Sequence, residues 1–183
     1  WLSNMKIPSG QTTQMVVGSS DETDLEILRS MKWQYDNIKV KRRYFSAFTP
    51  IKGTPLQKKS KTPLLREARL YNTDWLLRVY KFRFKEITNV LNDSGNLPKD
   101  DPKIYIARNY FDKPVDLNSA RYEDLIRIPG IGLTSTHKIM ELQEKGVKIE
   151  KRRELKDMGI VLKRAEPFIR INGYNQRTLN AFA

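Results

Sequence analysis

The chain has 183 residues, of which 39% are hydrophobic and 30% are charged, and its 34 Lys and Arg outweigh 21 Asp and Glu to give a net charge of +13. This length suits one medium domain or two small ones. With no cysteine and one histidine, the sequence excludes disulfides, thiolate or multi-histidine metal sites and cysteine nucleophiles, and it offers no catalytic constellation. No apolar run approaches about 18 residues, which excludes a transmembrane helix. No signal-peptide pattern is visible, so we expect a cytoplasmic protein.

The positive charge is concentrated in the middle of the chain. Residues 37–92 carry 14 basic and 3 acidic side chains, a net charge of +11. Such a basic segment predicts an anionic partner. We expect nucleic acid and no membrane, because no amphipathic anchor accompanies the charge.

The N-terminal segment predicts a strand–helix–strand unit. An apolar strand over residues 14–18 is followed by a helix from about Glu22 to Tyr35 and by a second strand over residues 40–48. This order is typical of a parallel sheet or barrel. One such unit cannot complete a barrel, so either the rest of the layer lies outside this chain or the strands pack on the helices that follow.

The next segment predicts an exposed linker and then helices. Residues 49–61 are rich in Pro, Gly and Lys, which favours an irregular connection. Thr62 and Pro63 predict the start of a helix that ends at about Tyr80. Its predicted apolar stripe consists of Leu65, Ala68, Tyr71, Trp75, Leu76 and Val79. Shorter helices are predicted over residues 84–91 and 103–110.

Residues 116–145 carry the sharpest pattern in the sequence. Asn118 or Ser119 caps a predicted helix that is stopped by Pro129-Gly130-Ile131-Gly132, and a second helix begins at about Thr134. This segment resembles the helix-hairpin-helix motif. Thr136 stands where that family usually has alanine, which predicts a slightly looser approach of the two helices.

The two glycines of the hairpin indicate a phosphate-binding loop. We expect them to adopt positive φ, which brings backbone N–H groups at the helix N-terminus close to an anion. Ile131 is expected to point inward. The predicted nucleic-acid-binding residues are Pro129, Gly130, Ile131, Gly132, Thr134, Ser135 and Lys138 of this hairpin, with Lys163 and Arg164 further along. An ordinary helical corner is the alternative.

A weaker copy of the hairpin follows 29 residues later. Residues 158–165 align with residues 129–136, and Val161 replaces the second glycine. We therefore expect a tandem pair whose members bury each other's apolar faces, with the second hairpin mainly structural and Lys163 and Arg164 adding positive charge.

The order of segments along the chain is similar to the C-terminal part of radical S-adenosylmethionine proteins of DNA modification and repair. The segments that carry this resemblance are residues 10–18, 21–24, 44–56 and 66–78, followed by the hairpins. The resemblance implies an upstream partial (β/α) barrel that binds S-adenosylmethionine and a 4Fe–4S cluster on three cysteines. Because this chain has no cysteine, those cofactors are expected only in a longer parent protein, and none is expected in this chain.

The resemblance also implies a division of the chain. It predicts a mixed α/β part, the last strand–helix–strand unit of a partial barrel, followed by an all-helical helix-hairpin-helix domain. The divisions are residues 1–56 for the barrel strands, 57–115 for a basic linker and connecting helices, 116–172 for the tandem hairpins and 173–183 for a tail. By fold analogy, Gln11, Thr12, Gln14 and Ser46 are candidate cofactor-binding residues, with ordinary strand-edge chemistry as the alternative.

The leading hypothesis is a DNA-binding portion of such a protein, docked on backbone phosphates, with RNA as another target and the upstream barrel of the same protein as a partner. A second hypothesis is an S-adenosylmethionine-binding enzyme that has lost its cluster. A third is a structural module that binds another protein. The chain is expected to be a fragment or a degenerate relative of the family.

Overall fold

A computed structural model describes residues 8–171 and 174–175. The chain divides into two compact units, Trp1–Pro102 and Lys103–Ala183. The predicted tail, residues 173–183, lies outside the described residues except for Tyr174–Asn175.

The N-terminal unit contains the predicted strand–helix–strand arrangement. Strand β1 (Thr12–Val17) and strand β2 (Arg42–Ala47) pair in parallel, and helix α1 (Asp24–Trp33) connects them. Thr23 caps α1 in a capping box with Glu26, because each residue's side chain accepts the backbone N–H of the other. A π-helical turn, Gln34–Ile38, ends the helix, and Lys39 follows it in the left-handed region with φ 59°. Helix α2 (Leu64–Arg78) and helix α3 (Phe84–Thr88) complete the unit.

Side chains from the helices close the outer edge of β2. The N–H groups of Arg43, Phe45 and Ala47 all face away from β1, and each donates to a side chain rather than to another strand. The acceptors are the Tyr35 hydroxyl at 3.1 Å, the Tyr71 hydroxyl at 2.9 Å and Glu67 Oε2 at 2.7 Å. Among the described residues, β1 pairs with β2 alone. The strands therefore pack on the helices that follow, and the sheet can be extended only at the β1 edge.

The buried face of α2 differs from the predicted one. The helix begins at Leu64, one residue later than Pro63 suggested, and its buried residues are Leu70, Thr73, Asp74 and Leu76. Of the predicted stripe only Leu76 is buried, while Leu65 and Trp75 are about half exposed. The pattern failed because Asp74 lies on the inner face, where it accepts hydrogen bonds from Tyr35 and Arg78.

The C-terminal unit is mainly helical. In chain order it contains α4 (Pro102–Tyr110), β3 (Val115–Asp116), α5 (Tyr122–Arg127), α6 (Leu133–Glu144), α7 (Arg152–Asp157), α8 (Leu162–Ala165), a 3₁₀ turn (Glu166–Phe168), β4 (Ile169–Ile171) and β5 (Tyr174–Asn175). The three short strands form one sheet in the order β3-β4-β5, so the domain predicted to be all-helical also contains a small sheet. The predicted cap of α5 is wrong: Arg121 precedes the helix, and Asn118 instead exchanges two hydrogen bonds with the backbone of Ile149.

One apolar core unites the two hairpins. Leu125, Ile131 and Ile139 of the first hairpin lie in the same buried cluster as Leu155 and Ala165 of the second. All five side chains are fully buried or nearly so. The prediction that the two hairpins bury each other's apolar faces is confirmed, which explains how helices as short as α7 and α8 remain folded.

Candidate nucleic-acid interface

The first hairpin lies between α5 and α6. Gly130 adopts a left-handed conformation with φ 86°, as predicted. Gly132 has φ −109° and ψ −177°, an extended conformation open to any residue, so the prediction of positive φ there is wrong. Ile131 is 1% exposed and points into the core, which confirms its predicted role.

The loop presents the N-terminus of α6. The first intrahelical hydrogen bond runs from the Thr136 N–H to the Gly132 carbonyl at 2.9 Å. The preceding N–H groups of Leu133, Thr134 and Ser135 thus form the first turn, which has no intrahelical acceptors and carries the positive end of the helix dipole. A phosphate oxygen suits this position.

A backbone contact locks the two hairpins together. The Val161 N–H donates to the Gly130 carbonyl at 3.0 Å. A Cβ atom on Gly130 would lie 2.5 Å from the Val161 carbonyl oxygen, so a side chain cannot fit there. Gly130 is therefore required for the packing of the hairpins, in addition to the turn that the sequence indicated.

The two hairpins meet in a nearly reciprocal way. Gly159, 29 residues after Gly130, also has positive φ, at 83°, and the nearest atom to a Cβ placed on it is Ser135 Oγ. The Ser135 hydroxyl donates to the Met158 carbonyl at 3.0 Å. Each hairpin thus packs on the first helical turn of the other, which fits an approximate twofold relation between two copies of one motif.

The predicted contact residues differ in their accessibility. Thr134, Lys138 and Lys163 are exposed, and Arg164 is half-buried. Ser135 is 5% exposed and its hydroxyl is engaged by Met158, so only its backbone N–H is available to a ligand. Pro129 and Ile131 are buried and support the loop.

Lys103 lies beneath the hairpin, and the sequence reasoning missed it. Its side chain is 5% exposed, and Nζ donates to the Ile131 carbonyl at 2.7 Å. Burial lowers the pKa of Lys103 to about 7. The only signal in the sequence was a lysine at the start of an apolar helix, next to Ile104.

The candidate cofactor-binding residues lie on two sides of the sheet. Thr12, Gln14 and Ser46 share the outward face, because Thr12 pairs with Arg42, Gln14 with Tyr44 and Val16 with Ser46. Gln11 is separate: its amide donates to the Ile38 carbonyl at 2.8 Å. The structure therefore does not bring all four side chains together.

No described group of three or more His, Asp or Glu side chains is arranged to hold a metal ion. None of the described helices has the length and apolar character needed to cross a membrane.

Comparison with known proteins agrees with the geometry of the C-terminal unit. Residues 111–165 match the model of the helix-hairpin-helix motif. No curated protein and no solved structure gives a significant match to the chain. The protein is thus a mixed α/β chain with a helix-hairpin-helix motif, a motif that suggests binding to nucleic acid.

Proposed function

We propose that the chain binds DNA through the first hairpin, which docks on backbone phosphates without reading the base sequence. The observation that carries this proposal is the match of residues 111–165 to the helix-hairpin-helix motif, with the first turn of α6 placed at the hairpin. In this proposal the N–H groups near Gly132 receive a phosphate oxygen, and Thr134 and Lys138 contact neighbouring phosphates.

The second hairpin takes a supporting role in this proposal. Val161 stands where the first hairpin has Gly132, and its N–H is already bonded to Gly130. Lys163 is exposed and Arg164 is half-buried, and both add positive charge. The binding surface is therefore asymmetric, with one hairpin that contacts phosphate and one that holds it in shape.

The test is a fluorescence-anisotropy titration of the full chain with labelled double-stranded DNA, single-stranded DNA and RNA at several salt concentrations. Gly132→Glu places a negative charge at the loop in an extended conformation that any residue adopts, and we expect it to weaken binding about tenfold or more. Unchanged affinity in a folded variant would contradict the proposal. If the chain instead binds a protein partner with an affinity that does not depend on salt concentration, the structural module is favoured over DNA binding.

A matched pair of lysines separates the hairpin from general charge. Lys138 lies in the second turn of α6, whereas Lys148 lies beyond the other end of this helix of 12 residues, which spans about 18 Å. Lys138→Glu and Lys148→Glu change the net charge equally. We expect the first to weaken binding strongly and the second only slightly, and equal losses would assign the binding to overall charge.

We further propose that the longer parent of this chain is a radical S-adenosylmethionine protein of DNA modification or repair. The edges of the two strands support this. Side chains close the outer edge of β2, as expected for the last strand of a partial barrel. The β1 edge has no partner strand among the described residues and is open to a preceding strand. Calorimetric titration of this chain with S-adenosylmethionine tests the alternative enzyme hypothesis, and heat of binding would favour that alternative.

A further inference from the structure

A basic cleft in the N-terminal unit plays no part in the proposal above. It has a volume of about 600 Å³ and lies between the π-helical turn with the start of β2 on one side and the end of α2 with the start of α3 on the other. This volume is within the range of small-ligand sites. All of its lining residues belong to the N-terminal unit.

The cleft is strongly positive. Five basic residues line it against one acidic residue: Lys32, Lys41, Arg78, Lys81 and Arg83, with Asp36. Asp36 pairs with Lys32 across one turn of helix. Among the residues that the structure describes, Lys41 and Lys81 are exposed and have no ion-pair partner. These two are free to receive an anion.

A hydrogen-bond network fixes the inner wall of the cleft. Asp74 is 2% exposed, and its two carboxylate oxygens accept from the Tyr35 hydroxyl and from the Arg78 guanidinium, the latter at 3.0 Å. Burial and the Asp74 carboxylate raise the pKa of Tyr35 to about 12, so the phenol remains a donor at neutral pH. Arg78 and the Tyr35 ring are thereby held in place before any ligand enters.

Two residues with strained backbone conformations lie at the same cleft. Lys39 and Lys81 are the non-glycine residues with positive φ among those described, each at 59°. Lys81 lines the cleft, and Lys39 joins the π-helical turn to Val40 and Lys41, which also line it. Left-handed lysines and π-helical turns cost stability and recur at functional sites.

Aromatic side chains distinguish the ligand from a simple anion. Tyr35, Phe82 and Phe84 line the cleft among the basic groups; Tyr35 and Phe84 are partly exposed, whereas Phe82 is 4% exposed. Aromatic surface next to free ammonium groups is the combination that holds a nucleobase and its phosphate together. A bare phosphate would use only the charges, and an acidic peptide would gain little from the rings.

We propose that this cleft binds a nucleotide unit, with the phosphate at Lys41 and Lys81 and the base against the partly exposed Tyr35 and Phe84. The unit is either a free mononucleotide or one nucleotide of a single strand. This proposal does not rest on the hairpin, which lies in the other unit.

The test titrates the full chain with adenosine monophosphate, guanosine monophosphate, a short single-stranded oligonucleotide and inorganic phosphate, with binding followed by calorimetry and by NMR shifts of the Lys81 and Tyr35 amides. Lys41→Glu and Lys81→Glu should each weaken nucleotide binding at least about tenfold. Lys58→Glu, an exposed lysine of the 49–61 connection outside the cleft, is the matched control and should change it little. Circular dichroism of each variant checks that it is folded.

The outcomes distinguish a free mononucleotide from a nucleotide of a single strand, and binding at the cleft from binding at the hairpin. Binding of a mononucleotide assigns a free ligand, and binding of the oligonucleotide alone assigns a strand; either supports the cleft. Lys138→Glu should leave binding at the cleft unchanged, whatever it does to duplex DNA. Three results would overturn the proposal: no binding of any nucleotide, equal affinity for a nucleotide and for inorganic phosphate, or a loss of nucleotide affinity in Lys58→Glu as large as that in Lys41→Glu and Lys81→Glu.

Discussion

Thr136 holds a buried hydroxyl on the first turn of α6. The residue is fully buried, and its Oγ1 has no hydrogen-bond partner among the residues that the structure describes. Because a buried hydroxyl without a partner is destabilising, Thr136→Val should raise the free energy of unfolding by about 1 kcal/mol, since valine keeps the shape and a similar helix propensity. Hydrogen exchange of the α6 amides measures this change. Thr134→Val, at an exposed residue, should change the free energy of unfolding little. A loss of stability in Thr136→Val would show that the Thr136 hydroxyl has a hydrogen-bond partner.

Gly130 and Gly146 form a matched pair within the C-terminal unit. Both have positive φ, at 86° and 67°, but a Cβ at Gly146 would meet open space while a Cβ at Gly130 would collide with the Val161 carbonyl. Gly146→Ala should therefore cost only the backbone strain, about 1 kcal/mol, and Gly130→Ala about 3 kcal/mol or more. Thermal unfolding compares them. Equal losses of stability in the two variants would mean that the collision with the Val161 carbonyl does not destabilise Gly130→Ala.

The contact between α4 and the hairpin predicts a pH dependence. The pKa of Lys103 is lowered to about 7 in the folded chain, whereas an exposed lysine titrates near about 10.4. Between these values the unfolded chain holds a proton that the folded chain has released, so the free energy of unfolding should rise with pH across this window. Lys103→Met should lack this rise. Parallel profiles of the two proteins in urea unfolding would contradict the prediction.

At the scale of elements, the sequence predicted what local patterns encode. The strand–helix–strand unit, the helix at residues 103–110 and the hairpin at Pro129–Gly132 are all present. Contacts between distant residues were not accessible: Val161 meets Gly130 across 31 positions, and Tyr35 meets Asp74 across 39. Those two contacts decide why Gly130 must be glycine and which face of α2 is buried, and the hydrogen bond from Ser135 to Met158 makes the Ser135 hydroxyl unavailable to a ligand.

At the scale of the whole molecule, the excess charge predicts a salt dependence. Each phosphate contact that a lysine makes releases counterions, so the logarithm of DNA affinity should fall linearly with the logarithm of salt concentration. Lys138→Glu should make that slope shallower by about 1, because one phosphate contact is lost. Lys148→Glu should leave the slope close to that of the unaltered chain. An unchanged slope in Lys138→Glu would show that Lys138 touches no phosphate.

The hydrogen bond between Val161 and Gly130 also predicts the heat-capacity change on binding of DNA. Because the second hairpin already fixes the loop, docking on a phosphate requires no segment of the loop to become ordered. The heat-capacity change on binding should then be small, without the large negative value of coupled folding. In the proposed binding mode the first hairpin is therefore preformed, and its shape is set by its contact with the second hairpin.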